Sequence, residues 1–138
     1  VDTESKVRLM AEKIHSILIV EDDVMLNEAY ELILKQAGYN VKVAFSGKEA
    51  LDLIAKDDPH MIILDLRMPV MDGIEFLKHY RPKTKHPTVS IVVFSNYDMP
   101  EEIEQVYELG AERYVLKAWA SPRELLKIVN DTLVGQKA

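Results

Sequence analysis

The stretch that decides the fold is Met61-Ile62-Ile63-Leu64-Asp65-Leu66-Arg67-Met68-Pro69-Val70-Met71-Asp72-Gly73. Four apolar residues run straight into an acid, which is how a fully buried strand reads, with Asp65 at its carboxyl end. Pro69 marks a loop, and Asp72-Gly73 punctuates the start of a helix. In a parallel sheet covered on both faces, ligands bind at the carboxyl ends of the strands. Asp65 is therefore placed where chemistry is done, and the flanking sequence must show whether other strands bring it partners.

Upstream, Ile17-Leu18-Ile19-Val20 is a second apolar run, ended by Glu21, Asp22 and Asp23. A helix is expected from Val24, with Leu26, Ala29, Ile33 and Ala37 inward and Gly38 as its stop. Val41 to Phe45 reads as a strand, and Ser46 with Glu49 as a capping box before a helix lined by Ala50, Leu53 and Ile54. Downstream of the opening stretch, a helix runs to about Tyr80, with Ile74, Leu77 and Tyr80 inward. Residues 81–87 read as a polar loop. Val89 to Phe94 is a fourth strand, ending at Ser95. Pro100 opens a helix with acids in its first turn, and Gly110 closes it. Arg113 to Leu116 is a fifth strand, ending at Lys117. Ser121-Pro122 begins the last helix, with Leu125, Ile128, Val129 and Leu133 as its apolar stripe.

Five strands alternate with five helices, which predicts an α/β fold: a three-layer α/β/α sandwich on a five-stranded parallel sheet. The expected strand order is 2-1-3-4-5, the flavodoxin-like arrangement. Residues 1–15 form an N-terminal extension in which Val7, Met10, Ala11 and Ile14 fall at the spacing of a short helix. Residues 16–138 form one domain, with no second domain expected after the last helix.

Composition narrows the function. The chain has 138 residues, no cysteine and a net charge of -6. Thiol catalysis and thiolate metal sites are excluded. The acidic balance argues against direct nucleic-acid binding. No apolar run approaches the roughly 20 residues of a membrane span, so no membrane insertion is expected. The four histidines, His15, His60, His79 and His86, show no ligand spacing and read as surface residues.

With order 2-1-3-4-5, the strand ends meet in one crevice. Strand one delivers Asp22 and Asp23, strand three Asp65, strand four Ser95 and strand five Lys117. Carboxylates held this close repel one another, so a cation is required. A hard divalent ion with oxygen ligands fits, and Mg2+ fits best. Asp65 is then free to attack phosphorus as a nucleophile. Lys117 would supply charge, and Ser95 a hydrogen bond to a phosphoryl oxygen.

These residues resemble the receiver domain of two-component response regulators. The resemblance covers residues 16–134 and rests on Asp22-Asp23, the stretch Asp65 to Gly73, Ser95, and Gly110-Ala111 followed by Tyr114 and Lys117. It implies that Asp65 accepts a phosphoryl group from a sensor histidine kinase or phosphotransfer protein. It implies Mg2+ held by Asp22, Asp23, Asp65 and the backbone carbonyl of Arg67, with Asp22 acting through water. Ser95 and Tyr114 resemble the family's switch pair, in which the hydroxyl moves to the phosphoryl group and the ring turns inward. The implied role is that of a cytoplasmic signalling domain, not an enzyme on an external substrate. Its downstream output partner would bind helix four, strand five and helix five, the face through which a homodimer would also form.

One residue departs from the family. Ala118 stands where proline usually follows the lysine, often after a cis bond. A cis bond before a non-proline costs about 3 kcal/mol or more. The expectation is therefore a trans bond with Lys117 slightly re-aimed, or a strained cis bond. Trp119 is expected to plug the adjacent surface. Two other readings compete. A small magnesium-dependent phosphatase would need an insertion to close over its substrate and a second acid two residues after Asp65. A flavin carrier would place FMN phosphate against three acids.

Overall fold

The computed structural model describes residues 14–135 together with Thr3. The helix expected over residues 1–15 lies almost wholly outside the described residues.

Five strands form one parallel sheet: β1 (Ser16–Val20), β2 (Asn40–Ala44), β3 (Met61–Asp65), β4 (Ser90–Ser95) and β5 (Arg113–Leu116). Their order is β2-β1-β3-β4-β5, as expected. Five helices cross between them: α1 (Val24–Gln36), α2 (Gly47–Ile54), α3 (Gly73–Tyr80), α4 (Pro100–Glu108) and α5 (Pro122–Val134). Short side chains start four of these helices. Asp23, Ser46, Asp72 and Ser121 each accept a hydrogen bond from the backbone N–H three residues on. Each satisfies a donor that the first turn leaves orphaned.

β3 and β4 are buried along their whole length, so both read as continuous apolar runs. Their side chains alternate between two separate cores. Leu18, Val20, Ile62, Leu64, Ile91 and Val93 pack with Ala50, Phe76, Leu77 and Val106 under α2, α3 and α4. Ile17, Ile19, Met61, Ile63, Val92 and Phe94 pack with Tyr30, Leu34, Leu125 and Val129 under α1 and α5. Each fully buried aliphatic side chain contributes about 1.5–3 kcal/mol to this arrangement.

Several expectations are corrected. On α1 the buried stripe is Asn27, Tyr30 and Leu34, and Ala29 and Ala37 face solvent. Alanines leave the register of an amphipathic helix open, and the large Tyr30 ring, packed edge-on to Phe94, sets it instead. On α3, Phe76 is fully buried, while Ile74 only flanks the core. The segment after α3 is not all loop, because Pro82–Lys85 makes one helical turn. Arg81 permits it by adopting left-handed geometry at φ 55 and ψ 58. His86 is not a simple surface residue either, since it pairs with Asp58 and stacks on Tyr80.

Two loops shape the carboxyl end of the sheet. After β3, the amide of Met71 donates to the Pro69 carbonyl at 2.8 Å, around Val70 at φ 68. This is a tight turn at a backbone angle that β-branched residues rarely adopt. Gly73 then brings α3 against the phosphoacceptor candidate: a Cβ there would lie 2.6 Å from the Asp65 carbonyl oxygen.

Candidate functional site

The pleat of the sheet and the start of α1 decide which acids reach the crevice. Glu21 continues β1 for one more bond, its amide donating to the Ala44 carbonyl of β2. Its side chain is buried with Asp65 beneath the rim. The Glu21 carbonyl is pinned by the buried Asn27 amide at 3.0 Å. Asp23, two residues later, is exposed, and its carboxylate caps α1 by accepting from the Leu26 amide. The acids whose oxygens gather within 4.8 Å of one another are Glu21, Asp22 and Asp65.

This corrects the sequence-based assignment of the pair. Asp22 and Asp65 are in the cluster, Asp23 is not, and Glu21 takes its place. The physical reason is capping. The residue just before a helix must turn its carboxylate back onto the first-turn amides. That signal was present in the sequence, since Asp23 immediately precedes the helix.

Lys117 closes the site from β5. Its Nζ lies 2.6 Å from Glu21 Oε1 and 3.1 Å from Asp65 Oδ1. There is no cis peptide bond among the described residues, so the Lys117–Ala118 bond is trans. The ammonium still reaches both acids. Two buried carboxylates thus share one ammonium. Burial, with the nearby Asp65 charge, outweighs the Lys117 hydrogen bond and pushes the Glu21 carboxyl up to about 7. Burial works against the Lys117 charge, but Glu21 and Asp65 together outweigh it and hold its pKa above the usual lysine range. With Asp22 counted, three carboxyl groups face one ammonium, two positive charges short when all are ionised. Hard carboxylate oxygens at this spacing suit Mg2+, which binds through one or two carboxylates and waters.

Ser95, Tyr114 and Arg67 are linked through Tyr97. Ser95 is fully buried, and its Oγ accepts from the Tyr97 amide at 3.1 Å. The Tyr114 hydroxyl donates to the Tyr97 carbonyl. Arg67 places its amide 3.3 Å from Asp65 Oδ1. Its guanidinium lies over the Tyr97 ring at 4.6 Å and pairs with Glu102 of α4 at 2.6 Å. Trp119 does not plug the surface: it is 75% exposed at the rim. Trp119 ends a one-turn 3-10 helix, Lys117–Trp119, that leaves its side chain facing solvent. Met68 is buried, and Met71 packs against Gly47, so both serve the loop's packing.

Residues 17–130 match the family model described as the response regulator receiver domain. The chain belongs to the receiver domain family. Solved structures agree. The chain superposes on a putative response regulator from Chloroflexus aurantiacus with a TM-score of 0.78 and 35% identity, covering 88% of this chain and 99% of that one. The chemotaxis protein CheY4 of Vibrio cholerae gives 0.79 and 30%, covering 86% and 98%. A CheY-like receiver domain protein from Methanospirillum hungatei gives 0.81 and 28%, covering 88% and 95%. Receiver domains are signalling modules of two-component systems, not enzymes in the usual sense. The acidic cluster of this receiver domain fits magnesium binding. Among the described residues, no helix is long and apolar enough to cross a membrane.

Proposed function

We propose that this receiver domain accepts a phosphoryl group on Asp65 from a phosphohistidine, carried by a sensor histidine kinase or a phosphotransfer protein. One observation carries the reading: Asp65 is buried at the end of the central strand, 3.1 Å from Lys117 Nζ, within a cluster of three acids that this one ammonium does not balance.

Asp65 Oδ attacks phosphorus as the P–N bond to the donor histidine breaks, and the imidazole leaves. The product is an acyl phosphate. Glu21, Asp22, Asp65 and the carbonyl of Arg67 would hold Mg2+, and Asp23 is left to its capping role. The bound ion would neutralise charge developing on the phosphoryl oxygens. Lys117 shifts its hydrogen bonds towards the new phosphoryl group, and Ser95 turns its hydroxyl to donate to another oxygen. Tyr114, tied to the same loop, follows. The change is a population shift between two packings, biased by charge-assisted hydrogen bonds.

A receiver domain acting this way in the cytoplasm would pass the change to an output partner through α4, β5 and α5. Self-association through that face would be a further readout. Residues 1–15 would be an extension outside the switching unit. Incubation with acetyl phosphate and magnesium, read by intact mass, tests the reading. One acid-labile phosphoryl group per chain is expected, absent without magnesium and absent in Asp65→Asn. Labelling that persists in Asp65→Asn, or without the metal, would overturn it.

A further inference from the structure

The Arg67 side chain has no role in the chemistry above, yet it makes three contacts at the rim, with Tyr97, Glu102 and Met99. It leaves the β3–α3 loop, crosses the Tyr97 ring at 4.6 Å and ends on Glu102 in the first turn of α4 at 2.6 Å. A sulfur contact to Met99 at 3.4 Å completes its surroundings. An exposed ion pair alone stabilises little. This one differs in what it spans. Its near end is the residue whose amide touches Asp65 Oδ1. Its far end is a helix on another strand's crossover. Its middle rests on Tyr97, whose amide donates to Ser95 and whose carbonyl accepts from Tyr114.

We infer that Arg67 is a phosphoryl ligand held in reserve by Glu102, and that its transfer from Glu102 to the phosphoryl group releases α4. The inference rests on Asp65 being the phosphorylated residue. Phosphorylation replaces the single charge of Asp65 with close to two and adds three oxygens, which carry more lone pairs than Mg2+, Lys117 and Ser95 would fill. The guanidinium therefore exchanges one carboxylate for unfilled acceptor positions, not for an unscreened double charge. The guanidinium fork also matches phosphate oxygens in pairs. Once Arg67 turns, the first turn of α4 loses its tether and the Tyr97 ring loses its cover. Tyr97 is then free to yield the hydrogen bonds that hold Ser95 and Tyr114 in the resting packing. Tyr97 is a positioning residue in this account, and Arg67 is the group that exchanges partners.

The test uses the full chain with magnesium, titrated with beryllofluoride as the phosphoryl mimic and followed by backbone-amide NMR. Wild type is compared with Glu102→Gln and Arg67→Met. Without beryllofluoride, both variants should move the amides of residues 97 and 101–104 towards their positions in saturated wild type. Their affinities should move in opposite directions. Glu102→Gln frees the ligand and should tighten beryllofluoride binding about two- to five-fold, the range of an exposed pair. Arg67→Met loses the ligand as well as the tether and should weaken binding by a similar factor. A merely structural ion pair would shift both affinities the same way, or neither, and either result overturns the inference. Unmoved α4 amides in both variants overturn it too. Failure of wild type to bind beryllofluoride would instead strike the proposed function, leaving the Arg67–Glu102 tether to be judged on the unliganded amides.

Discussion

The two ends of the sheet handle polar groups in opposite ways. At the amino end, each group has its own complement. The Ser16 amide donates to His60 Nδ1, and the His60 amide donates back to the Ser16 carbonyl, both at 2.9 Å. Ser90 donates to Glu112 at 2.9 Å. Asp58 accepts from the Tyr80 hydroxyl at 3.0 Å and pairs with His86 at 2.6 Å. Burial, and then the hydrogen bond to Asp58, hold the Tyr80 hydroxyl above the usual phenol range, so it remains a donor. At the carboxyl end, Glu21 and Asp65 compete for Lys117, and Asp22 adds a third carboxylate. Same sheet, same strands, but one end is balanced and the other is not. Unbalanced buried charge costs stability, and it is retained where something is to be bound.

The comparison can be broken first at the backbone. Gly73→Ala would drive a methyl group into the Asp65 carbonyl and the Leu66 side chain, at 2.6 and 2.8 Å. The loss should be about 3 kcal/mol in urea unfolding, at the upper end for overpacking. A neutral result would mean that the carboxyl end is loosely built as well as unbalanced.

A paired substitution sharpens the contrast. Asp58→Ala strands the Tyr80 hydroxyl and His86 and should cost about 2 kcal/mol, without altering phosphorylation. Asp65→Asn removes one of two carboxylates competing for one ammonium. It should cost nothing, or add up to about 1 kcal/mol, while abolishing phosphorylation. Similar losses from both would erase the distinction between the two ends.

The smallest effect is a pH slope. The Glu21 carboxyl is raised from 4.5 to about 7. Between those values the folded chain holds a proton that the unfolded chain has released. Stability should therefore fall as pH rises through this window, by at most about 1.4 kcal/mol per pH unit. Magnesium should flatten the slope, and Glu21→Gln should remove that contribution. An unchanged slope in Glu21→Gln would mean that another group carries it.

Most of the architecture was legible because buried parallel strands are unbroken apolar runs and the helices carry plain stop and start residues. The stripe Leu125, Ile128, Val129 and Leu133 lies inward as its spacing predicts. Helices with weak stripes were less legible. Nothing in the spacing of α1 favoured Asn27 and Tyr30 over Ala29. At the site, the run Glu21-Asp22-Asp23 hid its own register, because three adjacent acids look alike until one is assigned to the cap. The contacts of Arg67 were not legible at all. They depend on how two loops, separated by a full strand and helix, come to face each other.

The two cores share no side chain, because alternate residues of each strand serve opposite faces of one sheet. Repacking beneath α4 can therefore proceed without breaking the contacts that α1 and α5 make with the opposite face. One half of the molecule can act as a fixed handle and the other as the moving part, although neither is a separate domain.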